Sequence, residues 1–257
     1  MELSSFPRLA VVLVSMNNSE SLRITIDSLK NLEYPNTILI NVDSSDNNAC
    51  KEVLQHSHFE SKYFWEKKRG IYHAMNSALD NIQGEDIVWY LNPGDVLNKP
   101  ELLINILTDF RKDSKLDFAY AQAQVIANTD PFEIFPGSNV EASVKNLSEG
   151  TFRISHQALL VRGSIMNQVQ GFDTKYQIAA DLKLEFQLLS NYKGRFVPGV
   201  LINFDSSGIS HKKVVRTLIE SAFVKYSGGY LSFNKAFLFL LKSILLKIMR
   251  KILMKVS

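Results

Sequence analysis

A single cysteine, Cys50, occurs in the 257 residues, so no internal disulfide can form and a reducing compartment is the expected home. No uncharged apolar run approaches the roughly 20 residues that span a bilayer. Met1 to Arg8 has no basic n-region. The apolar stretch after it, Leu9–Val14, is too short for a signal peptide and reads as a first strand, so export is not expected. The turn after that stretch, Ser15-Met16-Asn17-Asn18, has no glycine, which excludes a dinucleotide-binding GxGxxG at that point. Walker A, GxSxG, HExxH and cysteine-rich metal spacings are all absent. Polar residues at strand ends are left as the candidates for chemistry.

What is present is ordinary for a globular protein: 46% apolar and 21% charged residues. The length suits one large α/β domain or a domain with an appendage. The net charge of +3 conceals an asymmetry. From Lys212 to Ser257 there are ten basic residues and one acid, Glu220, a charge of +9; the rest carries 19 basic and 25 acidic groups, or −6. A mildly acidic body with a basic, apolar tail points to a tail facing something anionic, and its chemistry favours lipid over nucleic acid.

Apolar runs alternate with helical patterns through the first half. Leu9–Val14 reads as a strand, and Ser19–Leu32 as a helix with Leu22, Ile26 and Leu29 on one face. Then come Thr37–Val42 (strand), a short helix around Lys51–His56, Lys62–Trp65 (strand), Ile71–Ile82 (helix) and Asp86–Leu91 (strand). The alternation implies βαβ units and a largely parallel sheet. Pro100 suits the first turn of a helix running to about Lys112. Further on, Phe118–Ile126 and Gln157–Val161 read as strands, Asn128–Gly150 as loop and Ala179–Tyr192 as an amphipathic helix. Arg195–Phe204 is a last strand, expected at an edge because Pro198 interrupts it. Trp65 and Trp89 are expected in the core.

The run Ile87–Leu91 leads into Asn92-Pro93-Gly94-Asp95. Open α/β sheets bind ligands outside the carboxyl ends of their strands, which places Asp95 at the mouth of a cleft. A carboxylate there suits Mg²⁺ or Mn²⁺, with phosphate oxygens and water filling the other positions. The same four residues also make an ordinary turn. Ser15 and Asn17, Asp43 and Asp46, and Asn92 and Asp95 thus end three strands in polar groups, a pattern that fits a nucleotide cleft. Asp43 is placed to accept hydrogen bonds from a ribose or base, or else to cap the following helix.

These motifs together resemble those of the family-2 glycosyltransferases, which have the nucleotide-sugar-binding GT-A fold, over about Leu9 to Ser210. Leu9–Asn17 is similar to that family's first strand and its "T-Y-N"-like turn. Asn41-Val42-Asp43-Ser44-Ser45-Asp46 resembles "V-D-G-x-S-x-D", slightly shortened. Lys68-Arg69-Gly70-Ile71-Tyr72-His73-Ala74-Met75-Asn76 resembles "D-K-G-I-Y-D-A-M-N", the most specific match. Asn92–Asp95 falls where the DxD metal motif belongs. Ile154-Ser155-His156-Gln157-Ala158 and Ile178-Ala179-Ala180-Asp181 resemble the "I-S-H-Q-A" and "I-A-A-D" of members that build bacterial polysaccharides.

The resemblance implies an α/β GT-A domain over residues 1–211, a Rossmann-like mixed sheet flanked by helices, followed by a basic amphipathic helical tail over 212–257. It assigns donor binding to Ser15, Asn17, Asp43, Arg69, Asn92 and Asp95, the last also holding Mg²⁺ or Mn²⁺. Asp181 takes the place of the catalytic base. Three positions depart from the pattern: Asn92 replaces the first DxD acid, Lys68 the acid before Lys-Gly, and His73 the second Asp of GIYDAMN. The implied activity is metal-dependent inverting transfer, of hexosyltransferase type, from a nucleotide sugar, a UDP-sugar in the first place. The implied acceptor is a lipid-linked or oligosaccharide glycan of a bacterial surface polysaccharide.

The residues are consistent with that chemistry on their own terms. A divalent ion at Asp95 neutralises a departing diphosphate, and one ionised carboxylate suffices to deprotonate the attacking hydroxyl in an inverting displacement. Asp181 lies near the start of a helix, whose dipole favours the ionised form; a plain first-turn aspartate has the same placement. His156 and Gln157 are candidates to bind the acceptor, with a structural histidine as the alternative for His156. His211 is a weaker candidate for an extra metal ligand.

In the tail, Leu241, Ile244, Leu245, Ile248 and Ile252 share one helical face, with cations over the rest. Such a helix lies on anionic lipid, at the inner face of the cell membrane, or packs on the protein itself or a second subunit. Two other readings stay open: a catalytically silent nucleotide-sugar-binding module, and a nucleotidyltransferase. The latter needs a glycine-rich basic loop, which Ser15–Ser21 does not supply.

Overall fold

The computed structural model describes residues 6–126, 133–137, 141–205 and 213–256. Among these, nine strands form one sheet in the order β3-β2-β1-β4-β8-β6-β9-β5, with β7 paired to β6. Its left half is β1 (Leu9–Ser15), β2 (Thr37–Asp43), β3 (Glu60–Trp65) and β4 (Ile87–Leu91). All four are parallel. β2 and β4 are buried throughout and β1 nearly so, as expected of strands covered on both faces.

Successive residues divide between two cores. Ala10 and Val12 of β1, with Val88 and Tyr90 of β4, pack under α3 (Ile71–Ser77), α6 (Gly163–Gln168) and α7 (Ala180–Asn191). Leu9, Val11, Leu13 and Trp89 pack under α1 (Ser19–Ser28), α2 (Ala49–Gln55) and α4 (Pro100–Lys112). The period of two along each strand sends neighbours to opposite layers.

The right half is not parallel. β8 (Leu159–Arg162) runs antiparallel to both β4 and β6 (Phe118–Ile126), while β9 (Gly194–Asp205) is parallel to β6 and antiparallel to β5 (Val96–Leu97). The sheet is therefore mixed. The βαβ rhythm ends after β4, so it does not predict strand direction beyond that point. β7 (Ile134–Phe135) and α5 (Val144–Glu149) lie within the stretch read as loop.

Several boundaries differ from expectation. The helix read as Ile71–Ile82 breaks into α3 and a 3-10 turn at Leu79–Asn81. His156–Ala158 is a 3-10 turn, so the strand read from Gln157 starts at Leu159. β9 is not an edge strand. Between the pairs Tyr120↔Phe196 and Gln122↔Val200 it carries two more residues than β6, and Pro198 lies in that bulge, which needs no ladder N–H from it. The neighbouring Gly199, at φ 128°, donates its N–H to the Gln122 side chain at 3.2 Å instead.

The chain ends in α8 (Val214–Ser227) and α9 (Phe233–Val256). Val224 of α8 is buried in the same core as α7, and Tyr230 stacks on Phe186 of α7 at 3.9 Å. Outward, Val215, Ile219, Phe223 and Tyr226 form an exposed stripe. It continues through the Tyr226–Phe233 and Phe233–Phe237 ring contacts onto Leu238, Leu241, Leu245 and Met249 of α9. The side chains of Ile248 and Ile252, expected on the apolar face, lie outside the described set. Among the described residues no helix is long and apolar enough to cross a membrane.

Candidate active site

Parallel strands bring the carboxyl ends of β1, β2 and β4 to one edge, where ligands of open α/β sheets bind. Ser15 Oγ donates to Asp43 Oδ1 at 2.8 Å, joining the first two ends. Asp43 is fully buried. Its Oδ1 also accepts the N–H and hydroxyl of Ser45, at 3.2 and 2.6 Å, and Oδ2 accepts the Tyr63 hydroxyl at 2.9 Å. Asp43 does not cap α2, whose N-cap is Asn48. Asn17 sits at φ 53°, donates its backbone N–H to Ser45 Oγ at 2.8 Å and its amide to Asp46 at 2.9 Å, and accepts the Asp46 N–H at 3.1 Å. The two strand-end turns are thereby locked together.

Trp65, expected in the core, is 61% exposed. It ends β3, an edge strand with no neighbour to cover it, and its indole N–H donates to Ser45 O at 2.9 Å. The ring is held at the rim of the Asn17–Ser45 turn. Arg69 is exposed and paired with Glu66 at 3.2 Å.

The second group surrounds β4. Asp95 was expected at the mouth of a cleft but is buried, 4% exposed. Its Oδ2 accepts the Asn92 N–H at 2.6 Å, closing the Pro-Gly turn. Burial pushes its carboxyl up to about 7, although the Asn92 N–H, His156 and the Gln157 side chain all favour the charged form. Asn92 Nδ2 donates to His156 Nε2 at 3.2 Å, while its Oδ1 is buried with no hydrogen-bond partner among the described residues. The other ring nitrogen, Nδ1, faces Asp181 Oδ2 at 3.6 Å. Gln157 is buried, with its carbonyl accepting the Trp89 indole N–H at 2.7 Å and its side chain against Ser155.

A chain of contacts thus runs Asp95–Asn92–His156–Asp181, bringing together residues far apart in sequence. Asp181, in the first turn of α7, keeps about 30% of its side chain exposed. Tyr72, from the Gly-Ile-Tyr motif, donates its hydroxyl to Ile178 O at 2.6 Å and reaches Asp181 Oδ1 at 3.2 Å. Burial raises Tyr72 well above the ordinary phenol range, so it is a neutral donor. Asn76, at the end of that motif, holds both the N–H and the C=O of Phe172 at 2.8 Å. Much of the motif is therefore devoted to seating the segment ahead of Asp181.

Among the described residues no cluster of three or more His, Cys, Asp or Glu is arranged to hold a metal. His211 lies outside the described residues. Tyr63, Trp65, Tyr72 and Glu220 (below) were not named as site residues from sequence. Tyr72 lay inside a recognised motif, and Glu220 was conspicuous as the tail's lone acid.

A mixed sheet between two helical layers, with polar groups gathered at the carboxyl ends of its parallel strands, defines the GT-A class, and solved structures agree. The mannosyltransferase PcManGT from Pyrobaculum calidifontis, in complex with GDP-Man and Mn²⁺, matches with a TM-score of 0.62 and 15% identity over 90% of this chain and 66% of its own. S. aureus TarS 1–349 in complex with UDP matches with a TM-score of 0.60 and 17% identity over 84% of this chain and 65% of its own. The chain spans just under two thirds of the length of these structures.

The chain belongs to glycosyl transferase family 2, which it matches over residues 10–167. Two Mycobacterium tuberculosis proteins described as uncharacterized glycosyltransferases, MT1564 and Rv1514c, are 23% identical to it over 219 residues, 82% of this chain and 80% of theirs.

Proposed function

We propose that the protein is an inverting glycosyltransferase that moves a sugar from a nucleoside-diphosphate sugar, a UDP-sugar in the first place, to a lipid-linked or oligosaccharide acceptor in bacterial surface polysaccharide synthesis. The observation that carries this reading is the contact chain Asp95–Asn92–His156–Asp181 at the carboxyl edge of the sheet. GDP-Man and UDP in the structural neighbours support a nucleotide sugar as donor.

The donor half is formed by Ser15, Asn17, Asp43, Arg69, Asn92 and Asp95. Asp43 is wholly buried, so it meets a nucleoside only if the side chains covering it shift. The acceptor half is formed by His156, Gln157 and Asp181. Asp181 takes the proton from the acceptor hydroxyl as that oxygen attacks the anomeric carbon and the nucleoside diphosphate leaves from the opposite face. His156 orients the carboxylate from one side and Tyr72 from the other.

The donor set also fits a divalent cation. Asn92 Oδ1 is a buried oxygen without a partner among the described residues, and beside it burial disfavours the charged form of Asp95. Hard oxygens of this kind suit Mg²⁺ or Mn²⁺, and Asp95 is the residue to hold one. When bound, such an ion neutralises charge developing on the diphosphate.

The +9 tail and its exposed apolar stripe support peripheral attachment to the inner, anionic face of the cell membrane. Residues 1–211 then form the transferase domain, and 212–257, whose α8 also packs on that domain, carry the membrane-facing stripe. The mix of cations and apolar side chains in the tail favours lipid over nucleic acid.

The test is turnover of a panel of UDP-glucose, UDP-galactose, UDP-N-acetylglucosamine and GDP-mannose, with and without Mn²⁺. Wild type is expected to hydrolyse at least one donor, and Asp181→Asn to lose at least about a hundredfold. Binding without turnover in both proteins would identify a silent nucleotide-sugar-binding module instead.

A further inference from the structure

Glu220 is the only acid from Lys212 to Ser257, and it turns inward. Its side chain, on α8, is 13% exposed. Oε2 accepts three successive backbone N–H groups, from Gln177 at 2.9 Å, Ile178 at 2.8 Å and Ala179 at 3.2 Å. Oε1 accepts Arg216 Nε at 2.8 Å. Ala179 is the N-cap of α7 and has no side-chain oxygen to offer the helix start. A carboxylate from another helix fills that role, where the helix dipole also favours negative charge. Burial opposes its ionisation, but Arg216 and the three N–H groups outweigh burial and hold its pKa below the ordinary value.

The segment so gripped leads directly into Asp181. Glu220 takes its N–H groups while Tyr72 takes the Ile178 carbonyl, so the backbone is held from both sides. A second link runs one turn further along. Lys225 of α8 is buried and interacts electrostatically with Glu185 of α7. Glu185 in turn accepts the Ile154 N–H at 3.2 Å, two residues before His156. The direct grip of α8 on the site is therefore the one Glu220 has on the backbone before Asp181.

We infer that Glu220 is a positioning residue, setting the Asp181 carboxylate through the backbone of residues 177–179 and making α8 part of the acceptor half of the site. This rests on the reading of Asp181 as the base. The donor half, built on β1, β2 and β4, does not touch Glu220. Its loss therefore lowers kcat and leaves donor affinity unchanged.

The test uses the full chain and whichever of UDP-glucose, UDP-galactose, UDP-N-acetylglucosamine and GDP-mannose the wild type turns over fastest. Glu220→Ala is expected to lose about tenfold or more in kcat with donor KM within about twofold, since small misplacements of a reacting group are costly. Glu220→Gln keeps an acceptor oxygen and recovers most of that loss. Val224→Ala loosens the same helix without touching the cap; it lowers the thermal midpoint with kcat near wild type. Hydrogen exchange in a peptide covering 177–182 speeds up in Glu220→Ala, but not in β1 or β4.

Wild-type kcat in Glu220→Ala overturns the inference. So does a Val224→Ala protein whose kcat falls as far as that of Glu220→Ala at matched stability, because α8 would then act only as structural support. If Asp181→Asn turns over as fast as wild type, the base assignment fails, and this inference with it.

Discussion

The buried Asp95 carboxyl makes the stability of the fold depend on pH. Its folded pKa, about 7, lies above the ordinary 3.8, so the folded state holds the proton more tightly. The associated stability is complete below the unfolded value and is lost as pH rises through about 7. In the ligand-free protein, Asp95→Asn is therefore expected to raise the thermal midpoint at pH 8 and to have no such effect near pH 4. On the proposed role of Asp95 as metal ligand, the same substitution is expected to abolish any stabilisation by Mn²⁺ with UDP. If Asp95 holds the cation as proposed, the proton competes with it in wild type, and apparent Mn²⁺ affinity is expected to fall about tenfold per pH unit below 7 and to level off above it. Thermal shift from pH 5.5 to 8.5 measures both effects, and a pH-independent affinity would contradict the assignment. Trp65 offers a second readout, because Trp89 is wholly buried while Trp65 lies open beside the strand-end turn. UDP is expected to change the emission of wild type but not of Trp65→Phe. Sequence pattern marked Ser15, Asn17, Asp43, Asn92, Asp95, His156 and Asp181 because each follows an apolar run or sits in a spaced motif. It had no means of finding that Asp95 is buried or that Trp65 is exposed, since both depend on which neighbours cover them.

Among the elements, parallel strands were the most legible. β1, β2 and β4 are buried on two faces, and two-sided burial demands an unbroken apolar run that sequence displays directly. The reading of β9 failed for an equally physical reason. A proline disfavours a central strand only where its N–H would be needed, and the bulge opposite Tyr120–Gln122 removes that need. Close approach between elements was also invisible in sequence. A Cβ on Gly163, at the start of α6, would lie 2.1 Å from the Gln83 carbonyl, a backbone atom with little freedom to yield. Gly163→Ala is expected to destabilise the fold by about 2 kcal/mol or more, an overpacking cost. Urea unfolding measures it as a lower midpoint at unchanged slope.

For the whole molecule, charge and apolar surface are sorted to the same end. The +9 tail carries the exposed stripe from Val215 through Phe233 to Met249. Exposed apolar surface on this scale, set among cations, marks an interaction surface. Leu241→Glu with Leu245→Glu alters two exposed positions and leaves the buried face of the helices intact. The double variant is expected to lose most of its flotation with phosphatidylglycerol vesicles while keeping its thermal midpoint. Unchanged flotation, or a shift from dimer to monomer, would assign the stripe to a second copy of the chain. α8 serves both faces of this arrangement, turning its apolar stripe outward and Glu220 inward against the start of α7.

Periodicity, strand-end polar residues and motif spacing were sufficient to establish the α/β class and to mark most of the polar residues that gather at the carboxyl edge of the sheet. These are local properties, set by which side chains a strand or helix start tolerates. Tertiary structure alone decided the sheet's antiparallel half, the burial of Asp95, the exposure of Trp65 and the grip of Glu220 on the backbone before Asp181. Each of these arises from contact between segments distant in the chain, and long-range contact leaves no periodic trace in any one of them.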